Sequence, residues 1–118
     1  MAIRNWTRVD SKYGVIELSV TLNAGDTSSD LKTSDYSDKT IHVFGGTFGD
    51  SQISILGLNS TSGTGQALHR VNDPTLTFSG LTSETMALLL ENPSILRASA
   101  SGTTGVGLTV VINSKRNT

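Results

Sequence analysis

Two histidines, His42 and His69, are the side chains of this sequence that titrate near neutral pH without a perturbing environment. Serine and aspartate are plentiful, so the composition would allow a Ser–His–Asp catalytic set. The sequence lacks, however, the Gly-x-Ser-x-Gly turn that exposes a nucleophilic serine. His42 stands between Ile41 and Val43, and alternate residues of a strand face opposite sides. We therefore expect His42 on a sheet surface or at a subunit contact, and we predict no catalytic residue.

Four aspartates lie close together in the polar segment 26–39, namely Asp26, Asp30, Asp35 and Asp38. Carboxylates are calcium ligands, but a calcium loop also needs a glycine for its sharp turn and often a closing glutamate. The segment contains neither. We predict a long, exposed acidic loop at 26–39, with no metal site and no cofactor.

A glycine-rich run at residues 45–49, Gly-Gly-Thr-Phe-Gly, suggests a phosphate-binding loop. Such a loop ends in Gly-Lys-Ser/Thr or opens a helix, whereas Asp50 follows here and would repel phosphate. The run therefore predicts a turn, and the glycine pair Gly45 and Gly46 predicts a bulge or a close backbone approach.

Two segments could reach a neighbouring molecule. One is an irregular N-terminal arm, residues 1–14, which carries the only tryptophan, a residue type favoured at the centre of protein contacts. The other is the loop 26–39. Packing of Trp6 against its own domain is an equally good interpretation. The candidate subunit contacts are Ile3, Trp6, Arg8, Leu31 and Tyr36.

The composition excludes several classes of function. A net charge of −1 provides no positive field for nucleic acid, and the absence of cysteine excludes disulfides and thiolate metal sites. No apolar run approaches the roughly 20 residues of a membrane span or forms the core of a signal peptide. We therefore expect no nucleic-acid or membrane partner, and synthesis and retention in the cytoplasm of the producing cell.

Alternation of apolar and polar residues predicts a strand at 15–22. Runs at 40–48 and 51–58 around Gly49 and Asp50 predict a hairpin, and runs at 94–100 and 106–113 around 101–105 predict a second. In the second hairpin we expect Val106, Leu108, Val110 and Ile112 to share the core face. Segments 66–71 and 75–78 predict short strands. Segment 82–91 favours a strand over a short helix.

Six to eight short strands joined by glycine, serine and asparagine turns predict an all-β fold, an antiparallel β-sandwich or small barrel. The chain of 118 residues has the size of one domain, which we place at 15–118 after the arm 1–14.

The order of several fragments between residues 40 and 116 resembles small bacteriophage virion proteins. These fragments are the 41–49 run, Leu76-Thr77-Phe78, Glu91-Asn92-Pro93, Ile95-Leu96-Arg97, the 101–105 turn, Leu108-Thr109-Val110 and Lys115-Arg116.

The resemblance implies a non-enzymatic virion protein, namely a capsid decoration or cement protein located in the virion. Its partners would then be the major capsid protein and further copies of itself, with a trimer favoured. Two alternatives remain open. One is a tail- or fibre-associated virion subunit, and the other is a carbohydrate-binding β-sandwich module. The aromatic content of 5% disfavours the latter, since sugar sites usually stack a ring on an aromatic side chain.

Overall fold

The computed structural model describes residues 2–10, 14–33, 36–59, 64–91 and 93–116. These ranges contain eleven β-strands and no helix. The strands are β1 (Ile3–Arg4), β2 (Thr7–Asp10), β3 (Val15–Leu22), β4 (Thr27–Ser28), β5 (Leu31–Lys32), β6 (Tyr36–Phe44), β7 (Ile53–Leu58), β8 (Gln66–Ala67), β9 (Thr85–Leu88), β10 (Ile95–Ala100) and β11 (Leu108–Arg116). The predicted all-β sandwich is confirmed.

The strands form two sheets. Sheet I has the order β1-β4-β10-β7-β8, with β5 also paired to β10, and sheet II has the order β2-β3-β11-β6-β9. All pairs are antiparallel except β1 with β4, which run parallel. From β3 onward the chain crosses repeatedly between the sheets, so that β3, β6, β9 and β11 lie in one and the other strands in the second. This is the strand arrangement of a jelly roll.

This crossing corrects both predicted hairpins. β6 and β7 are neighbours in sequence but belong to different sheets. The same is true of β10 and β11. The strands were predicted at the right places, but the turn residues between them connect the two sheets instead of one antiparallel pair.

The two sheets are connected along both edges of the sandwich. On one side the N-terminal segment contributes β1 to the edge of sheet I and β2 to the edge of sheet II. On the other, residues 69–71 bridge to the end of β9, where Val71 N donates to Leu88 O at 2.9 Å and Leu90 N donates to His69 O at 2.9 Å. The arm predicted as irregular therefore contains two short strands paired with the domain.

The core fills the space between the sheets because each strand buries alternate residues. β3 buries Ile16, Leu18, Val20 and Leu22, which matches the alternation in the sequence. The remaining buried apolar cluster comprises Ile41, Val43, Ile53, Ile55, Leu68, Phe78, Leu81, Leu89, Leu96, Ala98, Ala100, Leu108, Val110 and Ile112. Burying one large side chain of this kind contributes about 1.5–3 kcal/mol, so the interior is a solid apolar core.

Several local expectations differ from the structure. The segment 26–39, predicted as a long exposed loop, instead includes β4, β5 and the start of β6, and it buries Asp26, Ser28, Thr33 and Lys39. Segment 75–78 forms only a bridge from Thr77 to His69. Segment 82–91 contains the strand β9, as favoured.

Val106 is exposed, unlike Leu108, Val110 and Ile112, because β11 begins only at Leu108. Across the described ranges, no helix has the length and apolarity needed to cross a membrane.

Candidate functional site

His42 lies on the outer face of sheet II, as predicted. Its Nε2 is 2.7 Å from Oε2 of Glu84, and its ring lies 4.6 Å from the Phe44 ring, centroid to centroid. The Glu84 side chain is largely exposed. The pair is therefore a surface contact on the outer face of sheet II.

Two of the four aspartates of 26–39, Asp26 and Asp30, are held by arginines, and Asp26 is also held by the backbone. The Nε of Arg4 donates to Asp26 at 2.9 Å, and the Nε of Arg97 donates to Asp30 at 2.7 Å. Hydrogen bonds, from the Asn23 backbone first and then from Arg4, lower the pKa of Asp26. Asp38 is exposed, and Asp35 lies outside the described residues. Among the described residues, no three His, Asp or Glu side chains are placed to hold a metal ion.

The candidate contact residues fall into three groups. Trp6 packs against the core and donates from Nε1 to Ser29 O at 2.9 Å, and Leu31 packs against the same core. Ile3 and Arg8 are exposed on β1 and β2. Tyr36 begins β6, and its side chain lies outside the described part of the structure. Trp6 and Leu31 thus bind their own domain.

The glycine run and the 101–105 turn meet at one end of the sandwich, which we call the clasp end (residues 45–51 and 101–107). The Asp50 carboxylate accepts four hydrogen bonds, from the backbone N–H and the hydroxyl of both Thr103 and Thr104, at 2.8–2.9 Å. These bonds, that of the Thr103 backbone first, hold the pKa of Asp50 far below its ordinary value. The loop is filled by its own carboxylate, and the predicted turn is confirmed.

Gly46 shows the predicted close backbone approach at this end. Its φ is +56°, and a Cβ there would lie 1.9 Å from the carbonyl oxygen of Val106. Thr47 and Val106 also exchange two backbone hydrogen bonds of 2.9 Å. The clasp end is therefore closed by backbone packed on backbone.

At the opposite end of the sandwich, which we call the groove end (residues 57–59, 64–68, 91 and 93), the described residues surround a groove. This groove of about 330 Å³ lies where β7 ends and β8 begins. Its buried lining is apolar, with Gly57, Leu58, Leu68 and Pro93, whereas Thr64 and Gln66 are exposed. The residues described around the groove are Gly57, Leu58, Asn59, Thr64, Gln66, Ala67, Leu68, Glu91 and Pro93.

Glu91 is the one charged side chain among those described around this groove. Its Oε1 accepts a hydrogen bond from His69 N at 2.7 Å, and its Oε2 contacts Nδ1 of the His69 ring. Burial acts to raise the pKa of Glu91, but the hydrogen bonds from the His69 ring and backbone outweigh burial and lower it. Glu91 is therefore an oriented, ionised carboxylate at neutral pH.

A buried lysine lies next to this end. A β-bulge in the pairing of β6 with β11 places Asp38 at φ +54°, and Lys39 follows it on the same strand face as Ile41 and Val43. Lys39 is only 2% exposed. Burial lowers its pKa, and the charge of Asp38 partly offsets that effect.

Sequence reasoning missed the groove. His69 was considered only as a catalytic candidate, and Glu91 only as part of a Glu-Asn-Pro fragment. The available signal was Glu91, the charged residue that directly follows the apolar run 86–90.

The chain was compared with known proteins. No protein-family model matches it, and no curated protein matches it. It is similar to the solved structure of an RmlC-like cupin protein from Desulfovibrio desulfuricans, with 8% sequence identity, coverage of 95% of this chain and 81% of that chain, and a TM-score of 0.45. It is also similar to KdgF from Halomonas sp., with 12% identity, coverage of 95% and 80%, and a TM-score of 0.42. The likeness concerns the β-sandwich fold alone.

These findings contradict the expected role as a bacteriophage capsid decoration or cement protein. The similar structures are an RmlC-like cupin and KdgF, and neither is described as a virion or capsid protein. The expectation was wrong because it came from short strand-and-turn fragments such as Leu76-Thr77-Phe78, and β-sandwiches of unrelated function share such fragments. Self-association and the absence of enzymatic activity, nucleic-acid partners and membrane partners stay predictions.

Proposed function

We propose that the protein is a binding module for small neutral carbohydrates, which it holds in the groove at the groove end. The observation that carries the proposal is the oriented Glu91 carboxylate over an apolar floor. Asn59, Thr64 and Gln66 supply further hydrogen-bonding groups around the same groove.

The chemistry of these groups suits a ligand rich in hydroxyls. An ionised carboxylate only accepts hydrogen bonds, whereas the amides of Asn59 and Gln66 both donate and accept. A sugar hydroxyl can do both. The C–H faces of a sugar ring match the aliphatic floor of Leu68 and Pro93, which are both buried. Binding sites of this kind combine an apolar lining with a few oriented polar groups.

Charge narrows the class of sugar. Glu91 is the one charged group among the described residues that line the groove. Because it is ionised at neutral pH, it would repel the carboxylate of an acidic sugar. We therefore expect neutral sugars to bind more tightly than uronic acids of the same stereochemistry.

The affinity should be modest. None of the described lining residues is aromatic, so the ring stacking that strengthens many sugar sites is missing. A millimolar dissociation constant, about −4 kcal/mol, is the expected range.

The test is an NMR titration of the ¹⁵N-labelled protein with methyl glycosides of glucose, galactose and mannose and with a methyl glucuronide. We expect saturable shifts at Gly57, Gln66 and Glu91 with at least one neutral sugar. Glu91→Gln keeps the shape of the side chain and should weaken binding about tenfold.

The matched control is Glu84→Gln. It changes the pair of His42 and Glu84, which lies on the outer face of sheet II away from the groove, and it should leave binding unchanged. The proposal fails if no sugar shifts these amides at concentrations on the order of 10 mM, or if both variants weaken binding equally.

A further inference from the structure

A second depression adjoins the groove, and Glu91 borders both. It has a volume of about 240 Å³ and is bounded by Asp38, Lys39, Val71, Leu88, Leu89, Leu90 and Glu91. Four of these seven residues are aliphatic. The other three are the charged residues Asp38, Lys39 and Glu91, so the groove and this depression are neighbours that share the Glu91 side chain.

The run 86–90, which contains the last three residues of β9 and the two residues after it, is apolar on both faces, although only one face enters the core. Ala87 packs against the core and Leu89 lies within it. Met86, Leu88 and Leu90 point outward and are 64%, 39% and 50% exposed. A strand with one solvent face normally carries polar residues there.

Val71 extends this outward apolar row. It is 42% exposed and donates its backbone N–H to Leu88 O at 2.9 Å, so the two residues are neighbours. Contiguous exposed apolar surface of this kind often marks a binding site in a soluble domain. Core packing accounts for Leu89 but leaves Leu88, Leu90 and Val71 unexplained.

We propose that the ligand is an amphiphilic saccharide, a sugar with an alkyl aglycone, whose apolar part occupies this second depression. The inference rests on the proposed carbohydrate function of the groove. A sugar hydrogen-bonded to Glu91 from the groove side directs its aglycone past the same carboxylate, onto Leu88, Leu90 and Val71. Burying the aglycone removes it and the aliphatic residues from water together.

The probes are methyl β-glucoside and octyl β-glucoside, titrated by calorimetry below the critical micelle concentration of the octyl compound; galactosides or mannosides replace them if those sugars bind better. Each methylene that is fully removed from water tightens binding about fourfold. Partial burial of the octyl chain should therefore lower the dissociation constant at least tenfold relative to the methyl glycoside.

Two substitutions test whether the second depression is the source of the tighter binding of the octyl glycoside. Leu88→Ser and Leu90→Ser change side chains that border the depression and should remove most of the octyl advantage without changing the affinity for the methyl glycoside. Met86→Ser is the matched control, because Met86 lies in the same outward row but outside the depression. Circular dichroism and thermal melting establish that each variant is folded.

The outcomes separate the two proposals. If the methyl glycoside binds and the octyl glycoside binds no more tightly, the inference is wrong and the carbohydrate function stands. If the octyl advantage survives in both leucine variants, or disappears equally in Met86→Ser, the depression is not the aglycone site and the inference is wrong. If neither glycoside binds, the proposed function fails.

If only the octyl glycoside binds and Glu91→Gln has no effect, the contact is purely apolar, and both proposals fail.

Discussion

The two ends of this sandwich close in different ways. At the clasp end, Asp50 accepts four hydrogen bonds from the chain itself, and the backbone at Gly46 lies against the backbone at Val106. At the groove end, Glu91 is oriented by His69 and borders both the groove and the second depression. Both ends hold an ionised carboxylate, and the one at the clasp end is hydrogen-bonded to its own chain.

The difference shows how one fold separates stability from binding. Strands β6, β7, β10 and β11 run between the two ends, so both ends are anchored in the same core. At the clasp end, the chain satisfies its own polar groups, and these hydrogen bonds stabilise the crossover between the sheets. Where the chain leaves hydrogen-bonding groups around an apolar floor, we propose a binding site, because loops on a rigid scaffold commonly carry such sites.

The largest expected effect comes from Gly46→Ala. The new Cβ would lie 1.9 Å from Val106 O and 2.7 Å from Gly107 O, and backbone cannot move aside without breaking the crossover. We expect a loss of about 3 kcal/mol or more in the free energy of unfolding, measured by chemical denaturation.

Gly25→Ala is the matched control for that substitution. Gly25 also has positive φ, at +82°, but a Cβ there meets nothing within 4 Å. Gly25→Ala should lower the free energy of unfolding by only about 1 kcal/mol, because alanine is disfavoured in the left-handed conformation. Equal losses at Gly46 and Gly25 would mean that the clasp end is not held by backbone contact.

The second prediction concerns pH. Because the folded pKa of Asp50 is depressed, its ionised form stabilises the fold above the ordinary aspartate value of 3.8, and that contribution disappears as the pH falls below it. Asp50→Asn should therefore melt at a lower temperature than the wild type at pH 7, with a smaller loss than Gly46→Ala.

Thermal melts between about pH 2 and pH 7 check this. The gap between the wild type and Asp50→Asn should stay constant above about pH 5 and narrow below 3.8. Gly25→Ala, which changes no titratable group, should keep a nearly constant gap. A gap for Asp50→Asn that does not narrow in acid would show that the charge of Asp50 contributes nothing to the clasp.

The clasp end also shows what the sequence could and could not predict. The strands were visible in the alternation of residues such as Leu18 and Val20, because burial of one face requires it. The pairing was not visible. Gly49 and Asp50 have the chemistry of a hairpin turn, but the bonds that define this turn come from Thr103 and Thr104, 53 and 54 residues from Asp50. Local sequence cannot distinguish a turn within a sheet from a crossover between sheets.

The groove end was less predictable still. His69 and Glu91 are 22 residues apart, and neither carries a motif. They meet because residues 69–71 bridge to the end of β9, a connection between short segments with weak strand patterns. The buried position of Lys39 depends on a bulge opposite Ser114, which alternation alone would not place.

The third prediction is the effect of a glycine-to-alanine substitution at the groove end, Gly57→Ala, on the free energy of unfolding. A Cβ at Gly57 would lie 2.7 Å from Leu68 Cδ2 and 2.9 Å from Pro93 Cγ, which are side-chain atoms bordering the groove. Because side chains next to open space can shift, Gly57→Ala should cost about 1–2 kcal/mol by chemical denaturation. It should also weaken binding of the methyl glycoside by making the groove floor shallower. A loss as large as that of Gly46→Ala would show that the groove end is as rigid as the clasp end.

The smallest effect is expected from the surface pair His42 and Glu84, which sharpens the contrast with His69 and Glu91. Glu84 is largely exposed, so its hydrogen bond to His42 competes with water and contributes little. Glu84→Gln should change the free energy of unfolding by no more than about 0.5 kcal/mol.

Glu91→Gln should cost more than this by chemical denaturation, because the partly buried Glu91 accepts a hydrogen bond from the backbone of His69 as well as contacting its ring. If the two variants are equally stable, the His69 contacts do not fix Glu91, and the feature that distinguishes the groove end from an ordinary sheet surface is lost.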